Sequence, residues 1–258
     1  MLGNTYGWRA RLGLILPSLN VTTEPEYYRM LPEGVTVHTT RMFFEEETEE
    51  TYAHLIDDVS RAVTMLSHAQ VHALAFACTS GSLYGGLGYD QKIIETMRKC
   101  TDRPCTTTST VVVEALNTMG VKKVCIGTPY SSWIQQLERK FFEGSGFEVV
   151  NIRSTVEEVK EVFGEVRHET GPQLRFLVNA VPPQRVYEFA VSKVYRDGCD
   201  GLFLSCMGFP TLGVIELLEK DLGKPVISSN QATLWKLLQM AGVETRDCMS
   251  GFGSLFLR

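Results

Sequence analysis

VHALAFACTSG (residues 71–81) and CDGLFLSCMGF (residues 199–209) decide how this chain folds. Each is an apolar run too short for a helix of ordinary length, ends at a cysteine and meets a glycine soon after, the pattern of a buried parallel strand running into a tight loop. Further matches flank both in the same order. LGLILPSLN (12–20) resembles VCIGTPYSS (124–132), and RPCTTTSTVVVEALNTMGV (103–121) resembles KPVISSNQATLWKLLQMAGV (224–243) with one extra residue. Three ordered matches make an internal repeat, and two copies are too few for a solenoid.

Between these runs the hydrophobic period changes. Val35–Met42 alternates as a strand, whereas Glu49–Leu66 has helical spacing. Short helices follow the first strand at Glu24–Met30, with Thr23 as N-cap, and the 71–77 strand at about Asp90–Lys99, after a glycine-rich turn. The second half repeats the alternation, with helices over Tyr130–Phe142, Arg185–Tyr195 and Val214–Asp221. The charged stretch Ser154–Arg175 reads as a loop with a partial helix and as the most mobile segment. Strands alternating with helices predict an α/β fold of two pseudo-symmetric αβα sandwich domains with mainly parallel sheets and an active site in the cleft between them. The expected division is residues 1–110 plus 232–258 for the first domain and 111–231 for the second.

The bulk numbers narrow the function. A net charge of −5 argues against nucleic acid or an anionic membrane as partner, because both reward clustered cations. No apolar run approaches the roughly 20 residues of a membrane span. Residues 1–11 lack the apolar core of a secretory signal. Seven cysteines, an odd number with no CxxC pair and no zinc-type spacing, fit a reduced, cytoplasmic compartment and no metal site. Acidic Glu45–Glu50 reads as a solvated helix start. None of the five histidines forms a triad, and the glycines of 81–88 lack a phosphate-loop signature.

Ligands of parallel sheets bind at the carboxyl ends of strands. Cys78 and Cys206 occupy equivalent strand ends in the two copies, which points to chemistry from two sides of one substrate. Backbone N–H groups at Thr79–Ser80 and Met207–Gly208 can cradle a carboxylate or an oxyanion, and the same groups are expected to lower the thiol pKa. Thr79, Ser80 and Ser82 add hydroxyls, while Asn20 and Tyr130 offer neutral donors at the first strand end of each copy. The other cysteines read as small buried hydrophobes.

Pro17-Ser18-Leu19-Asn20, Ala77-Cys78-Thr79-Ser80-Gly81-Ser82, Thr128-Pro129-Tyr130 and Ser205-Cys206 together resemble the aspartate/glutamate racemase superfamily, within it the maleate cis-trans isomerase and arylmalonate decarboxylase branch. The resemblance runs from about residue 11 to 243. It implies a cofactor-independent enzyme, with no metal, that acts on a small carboxylate and forms a homodimer or higher homo-oligomer. It also implies Cys78 as nucleophile, Cys206 as acid/base partner, and Asn20, Tyr130, Thr79, Ser80, Met207 and Gly208 as substrate-binding residues. A racemase or decarboxylase of the same superfamily, and a non-catalytic ligand-binding paralogue, are the alternatives. An arylmalonate-type decarboxylase lacks the first cysteine, so Cys78 favours the isomerase. Two departures stand out. The family's second substrate-binding Asn has no convincing match, with the register of Asn179 in Leu177–Gln184 left open, and Met207-Gly208-Phe209 replaces a more polar sequence after Cys206.

Overall fold

The computed structural model describes residues 6–164, 172–246 and 251–258. His168, Cys248 and the central part of the stretch expected to be mobile lie outside them. Among the described residues, two four-stranded sheets account for all strands. The first contains β1 (Ala10–Pro17), β2 (Val35–Met42), β3 (Ala73–Phe76) and β4 (Cys105–Thr107), and the second β5 (Lys123–Thr128), β6 (Glu148–Ser154), β7 (Gly201–Leu204) and β8 (Val226–Ser228). Their orders are β2-β1-β3-β4 and β6-β5-β7-β8, with every pairing parallel. The two sheets therefore have one topology, as the sequence repeat predicts.

The strand period of two sorts side chains into layers. On β3 and the residue-pair after it, Ala73, Ala75 and Ala77 face a central apolar layer, whereas Leu74, Phe76 and Cys78 face an outer one. In the second sheet Ile126, Phe203 and Ile227 join the same central layer, while Cys125, Leu202, Leu204 and Val226 face a second outer layer. The central layer also holds Val111, Val112 and Ala115 of helix Thr108–Thr118 and Ala232, Leu234, Leu237 and Leu238 of helix Ser229–Met240. Alanines on the inner face of β3 leave room for the latter helix to lie close.

That helix is buried along most of its length although it begins with polar residues. Its N-terminal donors are satisfied in place, whereas the buried Trp235 Nε1 finds no hydrogen-bond partner among the described residues. Ser228 and Gln231 form a reciprocal capping box, and Thr233 donates to Thr108. Gln231 Nε2 also donates to the Phe252 carbonyl, which ties down the C-terminal segment.

Several boundaries differ from the sequence reading. The Glu49–Leu66 pattern is two helices, Glu49–Leu55 and Val59–His68, separated by a turn at residues 56–58. The chain after Cys78 forms helix Thr79–Leu83 before the glycine turn, and the next helix runs Tyr89–Arg98. The helix expected over Arg185–Tyr195 is Pro183–Phe189 followed by a π-turn, Ala190–Val194. Within Ser154–Arg175, expected as a loop with a partial helix, Val156–Phe163 is helical. Hydrophobic period alone does not mark such breaks, because the apolar face stays continuous across a short turn.

Candidate functional site

The loop after β1 is built around Asn20. Its Oδ1 accepts from the N–H groups of both Thr22 and Thr23, and its Nδ2 donates to Thr23 Oγ1 at 2.9 Å. The N-cap of helix Thr23–Met30 is therefore Thr22 rather than Thr23, and Asn20 supplies the side-chain acceptor for the N–H groups that open the helix. One amide hydrogen is used in that contact, and a primary amide carries two. Asn20 also lines the pocket described below. The capping and binding readings of this residue are thus compatible. Arg41 steadies the loop from β2 by donating to the carbonyls of Pro17 and Asn20 while paired with Glu24.

Cys78 ends its strand in extended backbone and caps helix Thr79–Leu83, its Sγ accepting from the Gly81 N–H at 3.3 Å. A Cβ on Gly81 would lie 2.9 Å from that sulfur, so glycine is what permits the approach. Ser80 Oγ stands 3.9 Å from the same sulfur. The expected lowering of the thiol pKa is not what results. Burial pushes the Cys78 thiol up to about 12, and the Gly81 N–H offsets only part of this. At neutral pH Cys78 is therefore a neutral thiol.

Two hydroxyls read as substrate donors serve the scaffold instead. Thr79 Oγ1 donates to Ser229 Oγ at 2.9 Å. Ser82 Oγ donates to the Thr79 carbonyl and accepts from the Ser109 N–H. Ser229 Oγ also accepts from the Cys206 N–H at 3.0 Å, so one buried hydroxyl joins the two cysteine loops.

Cys206 is half-buried and has φ +93°, a left-handed conformation in which a non-glycine residue costs of order 1–3 kcal/mol. The surroundings fix it. Ser205 N–H donates to the Gly127 carbonyl at 2.7 Å, and the Gly208 N–H donates to Cys206 Sγ at 3.3 Å. The Met207 carbonyl accepts from Thr23 Oγ1 and Asn230 Nδ2, and the Gly208 carbonyl accepts from Thr22 Oγ1. Beneath this turn Ser205 Oγ donates to Glu138 Oε1 at 2.5 Å. Glu138 is fully buried, and desolvation raises its pKa from 4.5 to about 7 against the pull of Ser205 and Thr128. Glu26 is raised likewise to about 7 by burial, although it accepts from the Leu212 N–H and Asn230 Nδ2.

Asn20, Cys78, Thr79, Ser80, Tyr130, Cys206, Met207 and Gly208 all line one pocket between the sheets. The cavity is about 50 Å³, room for a handful of waters or a small acid. Tyr130 is buried, and burial followed by the nearby Cys206 holds its pKa well above the ordinary phenol value, so it is a neutral donor. Among the described residues, no group of three His, Cys, Asp or Glu side chains is placed to hold a metal, and no helix is long and apolar enough to cross a membrane.

Two lining residues extend the sequence reading. Asn179 lines the pocket. Its Oδ1 accepts from the Val21 N–H and Thr22 Oγ1, and its Nδ2 donates to the Leu19 carbonyl. Glu47, expected on a solvated helix start, is 1% exposed and lines the pocket, its Oε2 accepting from the Ser131 N–H at 3.0 Å, while Glu45 and Glu46 remain exposed. Phe44, Leu19, Val178 and Pro17 complete the wall. No periodic signal separates Glu47 from its acidic neighbours, because its burial comes from the opposite sheet's Tyr130–Ser131 loop.

Comparison with known proteins agrees with this geometry. The chain is 28% identical over 258 residues to a maleate isomerase of Pseudomonas putida, covering 95% of this chain and 96% of that one. It is 27% identical over 245 residues to an arylmalonate decarboxylase of Bordetella bronchiseptica, covering 95% of each. Its fold superposes with a TM-score of 0.82, at 26% identity and over 96% of this chain and 97% of the other, on a variant of the maleate isomerase Iso from Pseudomonas putida S16 solved with maleate. Residues 12–256 match the arylmalonate decarboxylase family, and with these relatives the chain belongs to the arylmalonate decarboxylase/maleate isomerase family of the aspartate/glutamate racemase superfamily.

Proposed function

We propose that this protein is a cofactor-independent cis-trans isomerase of a small unsaturated acid, maleate or a relative of it. The supporting observation is that two cysteines from equivalent strand ends of facing sheets line one small pocket with neutral donors. In this reading the Cys78 thiolate adds to one alkene carbon, forming the S–C bond and moving the π electrons onto the neighbouring carbon. Cys206 gives that carbon its proton, leaving a succinyl-type adduct joined by a rotatable single bond. After rotation Cys206 takes a proton back, the S–C bond breaks, and the trans alkene leaves with Cys78 restored as thiolate.

Asn20, Tyr130 and the N–H groups at Thr79–Ser80 hold the carboxylate beside the developing carbanion, where fixed donors stabilise charge most in a dry site. The buried Cys78 must lose its proton before addition. Burial makes the resulting thiolate poorly solvated and strongly nucleophilic.

The apolar wall of Leu19, Phe44 and Val178 favours arylmalonate-type decarboxylation as a second reading. The presence of Cys78 counts against it. Proton NMR of maleate, aspartate, glutamate and arylmalonate incubated with the protein in D2O separates the activities. Fumarate appears for an isomerase, the α-proton exchanges for a racemase, and CO2 is lost for a decarboxylase. Cys78→Ser and Cys206→Ser are each expected to lower turnover by about a thousandfold or more, and full activity in both would sink the two-thiol mechanism.

A further inference from the structure

Among the described residues, the pocket lining contains no Lys, Arg or His, yet it contains a carboxylate. Glu47 reaches the pocket from the loop after β2, is 1% exposed, and is fixed by the Ser131 N–H, which crosses from the opposite half of the molecule. Its field adds to the influences that keep Cys78 protonated and is felt at the buried Glu138. The donors gathered around Cys78, namely Asn20, Tyr130 and the local N–H groups, are enough for one carboxylate. A dicarboxylate would bring a second negative charge into the same water-poor space beside Glu47, with no cation among the described lining residues to balance it. Like charges so placed disfavour binding strongly.

We infer that Glu47 selects the substrate's distal group, so that the preferred substrate is a cis-alkenoic monoanion ending in a neutral hydrogen-bond donor, such as a carboxamide, and not a dicarboxylate. The carboxamide N–H groups can donate to the Glu47 carboxylate, and the apolar faces of Phe44 and Leu19 tolerate a neutral group better than an ion. This inference rests on the site reading above for the placement of the single carboxylate.

The test uses non-reactive saturated analogues, so that it is independent of turnover. Succinate and its half-amide, succinamate, are titrated calorimetrically into the wild-type chain and into Glu47→Gln near pH 8. The wild type is expected to bind succinamate about tenfold or more tighter than succinate. In Glu47→Gln, succinate should gain roughly tenfold and the preference should collapse or invert. Equal or tighter binding of succinate by the wild type overturns the inference, as does a preference unchanged in Glu47→Gln, or binding of neither analogue. The wild-type ratio decides the matter even if the variant fails to fold. Isomerisation of maleate and of its half-amide is followed separately by NMR. Selective binding of the half-amide without isomerisation would sink the isomerase reading and leave the selectivity standing. Efficient turnover of maleate over the half-amide would do the reverse.

Discussion

Replacing Glu138 with glutamine should make the protein more stable, and more so as pH rises. Glu138 is fully buried under the Cys206 turn, and its carboxyl has a pKa of about 7 in the folded chain against 4.5 for an ordinary glutamate. A folded pKa raised in this way favours the fold while the group is protonated. The contribution is complete below about pH 4.5 and is lost as pH rises through about 7. At about 1.4 kcal/mol per unit, a shift of roughly 2.5 units makes the ionised carboxylate cost about 3 kcal/mol above pH 8. Near pH 5 the same relation leaves less than about 1 kcal/mol. Glutamine has the same shape, stays neutral, and keeps an oxygen to accept from Ser205 Oγ. Urea unfolding of wild type and Glu138→Gln at about pH 5, 6, 7 and 8.5 should show the variant gaining roughly 2 kcal/mol relative to wild type across that range. A difference that stays flat with pH would refute burial as the source of the shift.

The other expectations concern the site. Because burial holds the Cys78 thiol near 12, kcat/KM for the accepted alkene should climb with unit slope in log–log form up to about pH 10, and a plateau below about pH 9 in stopped-flow or steady-state assays would show that the free thiol is far more acidic. Asn179→Ala removes the acceptor for the Val21 N–H and Thr22 Oγ1; two neutral hydrogen bonds at about 1 kcal/mol each should cost roughly 2 kcal/mol of stability in urea unfolding, and an unchanged midpoint would show that other contacts hold the loop after β1. Gly81→Ala places a methyl 2.9 Å from Cys78 Sγ, so it should lower kcat by about tenfold or more and cost roughly 1–3 kcal/mol of stability, and a variant of normal activity would show that the sulfur has room to move.

The layer architecture was legible because strand period and helix period are local properties of the chain. Val71–Ala77 announces β3 by composition alone, and the identical strand orders bear out the repeat. All eight expected site residues reach one pocket for the same reason, since each sits at a strand end that the repeat locates. What escaped sequence reading depends on the other half of the molecule. Asn179 is held at the pocket by Val21 and Thr22, more than 150 positions away. Glu47 is buried by Ser131, and Thr79 Oγ1 is diverted by Ser229. The direction of the Cys78 shift was misjudged because N–H donors are visible in sequence as small residues, whereas desolvation is a property of the closed cleft.

The repeat also reaches deeper than the strand motifs. Aligning residue 12 with residue 124 sets an offset of 112, and the same offset carries Glu26 onto Glu138 (138 − 26 = 112). Both lie on the helix that follows the first strand of their half, both are buried, and both are raised to about 7 by desolvation. Their partners have diverged. Glu138 holds Ser205 in its own half, next to Cys206, whereas Glu26 reaches Leu212 and Asn230 and thereby braces the Met207 carbonyl from across the cleft. Two buried carboxylates raised in this way lower stability above about pH 7, so packing alone gives no reason for both. What they share is the turn containing Cys206, whose φ of +93° requires support from both sides. The unequal surroundings of the two cysteines follow from this. Cys78 is a capped strand end that glycine makes possible, and Cys206 is a strained turn clamped by a repeated pair of acids.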